Sequence, residues 1–100
     1  MANFETKKVG SKEYLFIDGK KVLKAWESFS GMYWFATDLK GTQDSVIGGR
    51  VIKNDKIWYG FVQGQFEEWG QFSQGELNSL GKYKVWELKP SAILYAGRRN

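Results

Sequence analysis

IWYGFVQGQFEEWGQFSQGEL, from Ile57 to Leu77, sets six aromatic residues (Trp58, Tyr59, Phe61, Phe66, Trp69 and Phe72) among four glycines, with three acids and no base. The stretch reads as a β-hairpin running into a short helix. A Gly64-Gln65 turn with glycine first suits type II′ geometry. That register sets Gly60 opposite Trp69, Tyr59 opposite Gly70 and Ile57 opposite Phe72. Each glycine then leaves a gap that a cross-strand ring covers, a device of twisted sheets. Packing is the preferred reading of this weave over a stacking platform. Ser73-Gln74-Gly75-Glu76 is a capping-box pattern ahead of Leu77 and Leu80, and Gly81 supplies the C-terminal stop. It predicts one helix of about two turns, although Gly75 inside it is a poor helix former.

Outward from this centre, strand signals dominate. Lys12–Lys24, KEYLFIDGKKVLK, predicts a hairpin around Asp18-Gly19, a dipeptide suited to two successive positive φ angles. Its register would pair Ile17 with Lys20, Leu15 with Val22 and Glu13 with Lys24. The alternative makes Asp18 the N-cap of a helix through Phe29, with Val22, Trp26 and Phe29 on one face; the hairpin is preferred. Ser28–Gly31 is a turn. Met32–Leu39 is a strand, with Tyr33, Phe35, Thr37 and Leu39 on one face and Met32, Trp34, Ala36 and Asp38 on the other. Residues 40–56 are rich in turn signals, with a short strand at Arg50–Lys53, and read as a loop or a protruding hairpin. Tyr83–Leu88 is a further strand ended by Pro90, and Ala92–Tyr95 is a candidate last strand.

One hundred residues make one domain. Such a chain buries about two thirds of its unfolded surface, so most of its 17 aromatic rings belong to the core. There is no Cys and no His. That removes disulfides, thiolate nucleophiles, zinc–sulfur sites and the commonest general base. The start lacks the basic-then-apolar layout of a signal peptide, and no apolar run reaches the roughly 18 residues of a membrane span. The expectation is a soluble, cytoplasmic protein.

The formal net charge is +4. Residues 1–56 carry ten bases and seven acids, residues 57–81 three acids and no base, and residues 82–100 five bases and one acid. Arg98 and Arg99 sit in a C-terminus expected to fray. An aromatic, acidic middle is thus flanked by basic ends, which admits nucleic acid without requiring it.

Catalysis would fall to Asp38, Glu67, Glu68 and Glu76. Glu67 and Glu68 are adjacent on a strand and point to opposite faces, so they do not form a paired-carboxylate site. Glu76 is taken by the capping box, and no motif supports Asp38 with Glu68. The acids lack EF-hand-like spacing, and Gly48-Gly49-Arg50 lacks the phosphate-loop pattern. The expectation is a protein that is not an enzyme and needs no metal or cofactor. Single-strand binders combine basic grooves with stacked aromatics. Lys20, Lys21, Lys24, Arg50, Lys53, Lys56, Lys82 and Lys84 would have to flank rings such as Trp26, Tyr33 or Trp58.

From Val22 onward the chain resembles the uncharacterised domain of unknown function 2958 family, carried by plasmids, integrative elements and phages. The resemblance rests on Leu23-Lys24-Ala25-Trp26, Trp34-Phe35-Ala36-Thr37-Asp38, Tyr59-Gly60-Phe61-Val62-Gln63-Gly64, Glu68-Trp69-Gly70-Gln71-Phe72-Ser73, Glu76-Leu77 and Trp86-Glu87-Leu88. It departs from the family pattern at Asp38 (Glu there), Trp69 (Leu) and Gln71 (an aromatic), and residues 40–56 read as an inserted hairpin. The resemblance implies an α+β fold, a strand over Val22–Trp26 and a mobile-element origin. It implies no activity.

Together these readings predict an α+β domain, a twisted and mostly antiparallel sheet of about five or six strands with one short helix. The expected function is non-catalytic binding to a host or element-encoded protein. Candidate contact residues are Trp26, Tyr33, Trp58, Arg50 and Lys53, since exposed aromatics and Arg make interface anchors. The alternative is a single-stranded nucleic-acid module.

Overall fold

The computed structural model describes residues 2–97; Arg98 and Arg99 lie outside them. Its framework is the continuous run of strands β4 (Lys24–Ser28), β5 (Tyr33–Ile47), β6 (Arg50–Gln63) and β7 (Glu67–Ser73), joined by turns. With β8 (Val85–Glu87) they form a five-stranded antiparallel sheet in the order β7-β6-β5-β4-β8. A second antiparallel sheet holds β1 (Phe4–Val9), β2 (Lys12–Ile17) and β3 (Lys20–Lys21). Helix α1 (Gln74–Ser79) follows β7, and helix α2 (Pro90–Ile93) follows β8. The fold is mostly antiparallel sheet with short helices, as the α+β reading predicts. It has more elements than that reading counted: eight strands and two helices among the described residues.

Alternation along the strands gives the large sheet two apolar faces. Ala25, Phe35 and Phe61 meet Leu15, Ile17 and Val22 of the small sheet, with Ile93 and Ala96 closing the side. Phe4 clips this layer, edge-on to Phe35 at 5.5 Å and to Phe61 at 5.9 Å. On the opposite face Trp26, Ala36, Trp58 and Val85 pack under Leu77 of α1. The molecule is therefore three layers, with the large sheet in the middle.

The hairpin around Asp18-Gly19 forms as predicted. Both residues have positive φ (49° and 81°), and Ile17 pairs with Lys20. The Leu15–Val22 match survives as a hydrogen bond from Val22 N to Leu15 O, 2.9 Å. Glu13–Lys24 does not form. Leu23 N turns to the Ala36 carbonyl at 2.7 Å, and Lys24 enters the other sheet. The alternative helix from Asp18 is absent; β4 spans Lys24–Ser28, two residues further along than the expected Val22–Trp26 strand.

Residues 40–56 form a protruding hairpin, the β5–β6 arm, closed at Gly48-Gly49 with φ of 59° and 77°. A 15-residue strand would span about 50 Å if straight, against a longest molecular dimension of 41 Å. Three register shifts bend it, at Ala36/Asp38, Leu39/Gly41 and Gln43/Ser45. The first corrects the predicted faces: Tyr33 and Phe35 stay on one side and Trp34 and Ala36 on the other, but Asp38 crosses to oppose Tyr59.

The central hairpin forms one residue out of the predicted register. Gln63 pairs with Glu67, leaving a three-residue loop, and Gly60 faces Gly70 while Phe61 faces Trp69. Gly64 is not among the positive-φ glycines, so the type II′ turn is not used. Ala92–Tyr95 is not a strand. Pro90 opens α2, where its missing N–H is no loss.

Candidate functional site

The five residues singled out from sequence do not converge. Trp26 is fully buried and Trp58 is 5% exposed, which corrects the expectation that they are exposed anchors. Both point to the α1 face, because alternation from buried Phe35 and Phe61 leaves them no outward position. Trp26 meets Phe72 edge-on at 5.9 Å. Trp58 Nε1 donates to Gln74 Oε1 at 2.9 Å, tying the sheet to the first residue of α1. Trp58→Phe is expected to lose that bond and some packing, about 1–2 kcal/mol, measured as a lower urea midpoint with an unchanged slope.

Tyr33 is half-buried at the start of β5, stacked on Phe35 at 5.8 Å, with its hydroxyl donating to Glu27 at 2.9 Å. Arg50 and Lys53 are exposed at the far end of the same sheet, on the arm. Lys53 pairs with Asp44 at 3.2 Å. Arg50 lines an open groove of about 720 Å³ between the arm and α1, with Ile47, Ile52, Asn78 and Ser79.

The end of the sheet that carries Tyr33 holds a row of rings not singled out from the sequence. The β4–β5 turn presents Phe29 (73% exposed), the β6–β7 loop Phe66 (78%), and the segment entering β8 Tyr83 (85%). Topology places them side by side. Ser28 pairs with Val85 and Phe29 N donates to Lys84 O at 2.9 Å, so Phe29 and Tyr83 are neighbours. Tyr33 pairs with Gln63, so the β4–β5 turn and the β6–β7 loop share this end. At about 4.8 Å between strands, the row spans roughly 15–20 Å. Met32 lies beneath it, its side chain so close to Gly64 that a Cβ there would meet Cε at 2.9 Å. The available signal was a large ring inside a Ser/Gly turn, where no core face needs one.

The acids hold structure together. Asp55, 3% exposed, accepts from the Ser45 hydroxyl (2.8 Å), the Gly75 N–H (2.7 Å) and the Ser73 hydroxyl. Burial pushes its pKa up, but these three donors together outweigh burial and leave it below the ordinary carboxylate value. Asp38 is also lowered, chiefly by the Thr37 hydroxyl 2.8 Å away; partial desolvation opposes this, and Lys20 and Lys40 add to it. Glu67 accepts from Gln63 Nε2 at 3.2 Å. Among the described residues, no three acids gather as a metal site would require, and no helix is long and apolar enough to cross a membrane.

No family model, curated protein or solved structure matches this chain.

Proposed function

We propose that this chain is a non-catalytic binding protein that engages a protein partner through the Phe29–Phe66–Tyr83 end of the large sheet. The observation that carries the reading is three aromatic rings, each at least 73% exposed, lined up across one end of a sheet whose other rings are largely buried. Large apolar residues exposed together are unfavourable in water unless another surface covers them. Aromatic anchors of this kind dominate interface energies. The resemblance to a family carried by phages and integrative elements supports the setting, a small accessory protein acting on a host or element-encoded target. The partner surface is apolar, because lysines and acids surround the row in similar numbers (Lys82 and Lys84, Glu67 and Glu68) and favour neither sign.

The test is affinity capture from the host with the wild type and with Phe29→Ser/Phe66→Ser/Tyr83→Ser. The triple variant is expected to keep its stability to within about 1 kcal/mol, because exposed side chains away from special features change little. It should lose a defined partner that the wild type retains. Identical captured sets from the two proteins would reject this surface.

A further inference from the structure

We infer that the outer face of the small sheet is a stacking platform for single-stranded nucleic acid. The site is distinct from the aromatic row, and its test is independent of that reading. Leu15 and Ile17 of the central strand β2 are buried at 1% and 0% exposure, so alternation turns Tyr14 and Phe16 to the outer face, where each is half-buried. Their neighbours on the same face are basic. Lys7 lies opposite Tyr14, Lys21 opposite Phe16, and Lys12 is next along the strand. The lysines reach diagonally: Lys7 Nζ is 5.0 Å from the Phe16 ring centre and Lys21 Nζ 4.7 Å from that of Tyr14. Glu5, paired with Lys7 at 3.2 Å, is the acid on this face among the described residues of the three strands.

Two rings one strand repeat apart on an open sheet, bordered by three ammonium groups, match what an unpaired strand presents. Its bases offer flat π-faces and its backbone offers closely spaced negative charge. An ammonium over a partly exposed surface ring is held more weakly than a stacked base. A base therefore displaces the lysines from the rings and leaves them beside the flanking phosphates. An acidic peptide would satisfy the charges but not the rings. Duplex DNA would satisfy the charges while keeping its bases stacked away from them. The sequence carried this signal in KEYLFI, with rings at alternate positions and lysines on either side.

The experiment is fluorescence anisotropy of a labelled oligodeoxythymidine of about 15 nucleotides, near the upper end of a single-site footprint, across a salt series. Saturable binding is expected. Three phosphate contacts predict a slope of log K against log salt near about −2. A duplex of equal length should bind at least about tenfold more weakly. Tyr14→Leu and Phe16→Leu, which keep apolar bulk on the strand, should each weaken binding about fivefold or more, whereas Tyr14→Phe should retain it. Lys7→Gln/Lys21→Gln should flatten the salt slope. The inference is overturned by no binding at low salt, by equal binding of duplex or polyglutamate, or by leucine variants that bind as the wild type does.

Discussion

Gly60→Ala is expected to destabilise the domain by at least about 3 kcal/mol, a fall in Tm of roughly 12–24 °C for a chain of this size. A Cβ at Gly60 would stand 1.7 Å from the Phe35 carbonyl oxygen and 3.0 Å from the Ala36 Cα. These are backbone atoms of the neighbouring strand, in the middle of the sheet, and no rotamer change relieves the overlap. The close approach adjoins the register shift at Ala36/Asp38, where β5 bends toward β6. Gly70 is the internal control. It sits directly across from Gly60 on β7, yet a Cβ there meets nothing within 4 Å. Gly70→Ala should change stability by less than about 1 kcal/mol, and in either direction. Thermal melts of the two variants settle the point: a similar loss from both would mean that the strands do not approach as described.

That contrast also shows where the sequence was readable. Local chemistry came through where one motif sufficed. Asp18-Gly19 adopts the positive φ angles its turn requires, and the Ser73 hydroxyl accepts from Glu76 N at 3.0 Å, as a capping box predicts. What failed depended on contacts distant in sequence. The glycine–aromatic weave slipped by one position because the β6–β7 loop holds three residues instead of two. The reason Gly60 lacks a side chain is the Phe35 backbone, which cross-strand reasoning within residues 57–77 does not see. Gly75 looked like a weakness in its helix. Its lack of a Cβ instead lets the Asp55 carboxylate, twenty residues earlier, reach its N–H. For the candidate site the limit was direction. Aromatic content identified Trp26 and Trp58 as important, but whether a ring on a strand faces water depends on which layer covers that face. The small sheet over one side and α1 over the other took both candidates inward. Rings in turns escape that ambiguity, and Phe29 and Phe66 are both exposed.

Asp55→Ala is the second large effect, about 3 kcal/mol at neutral pH, because hydrogen bonds to a charged group are each worth roughly 1.5–3 kcal/mol and the Gly75 N–H would be left unpaired. The carboxylate joins three places far apart in sequence: Ser45 on β5, its own position on β6, and the start of α1. The Ser73 hydroxyl has one proton, which goes to Asp55, and its lone pair receives Glu76 N–H. Loss of the carboxylate therefore also frees the cap to turn away. The sign of the pH dependence follows from the lowered pKa. The folded state binds this proton less readily than the unfolded chain, whose Asp titrates near about 3.9. The stabilisation is complete above that value and is lost as pH falls through the lower folded value. Asp38 titrates in the same direction but is paired at the surface with Lys20, where such pairs contribute little. Urea denaturation of the wild type and of Asp55→Asn, at neutral pH and again near about pH 2, isolates the effect. The gap between the two proteins should be widest at neutral pH and should narrow as pH falls through the lowered folded value, where Asp55 takes up its proton. A gap that persists unchanged in acid would mean that the amide simply packs worse, and that the charge of Asp55 does not hold the arm to the helix.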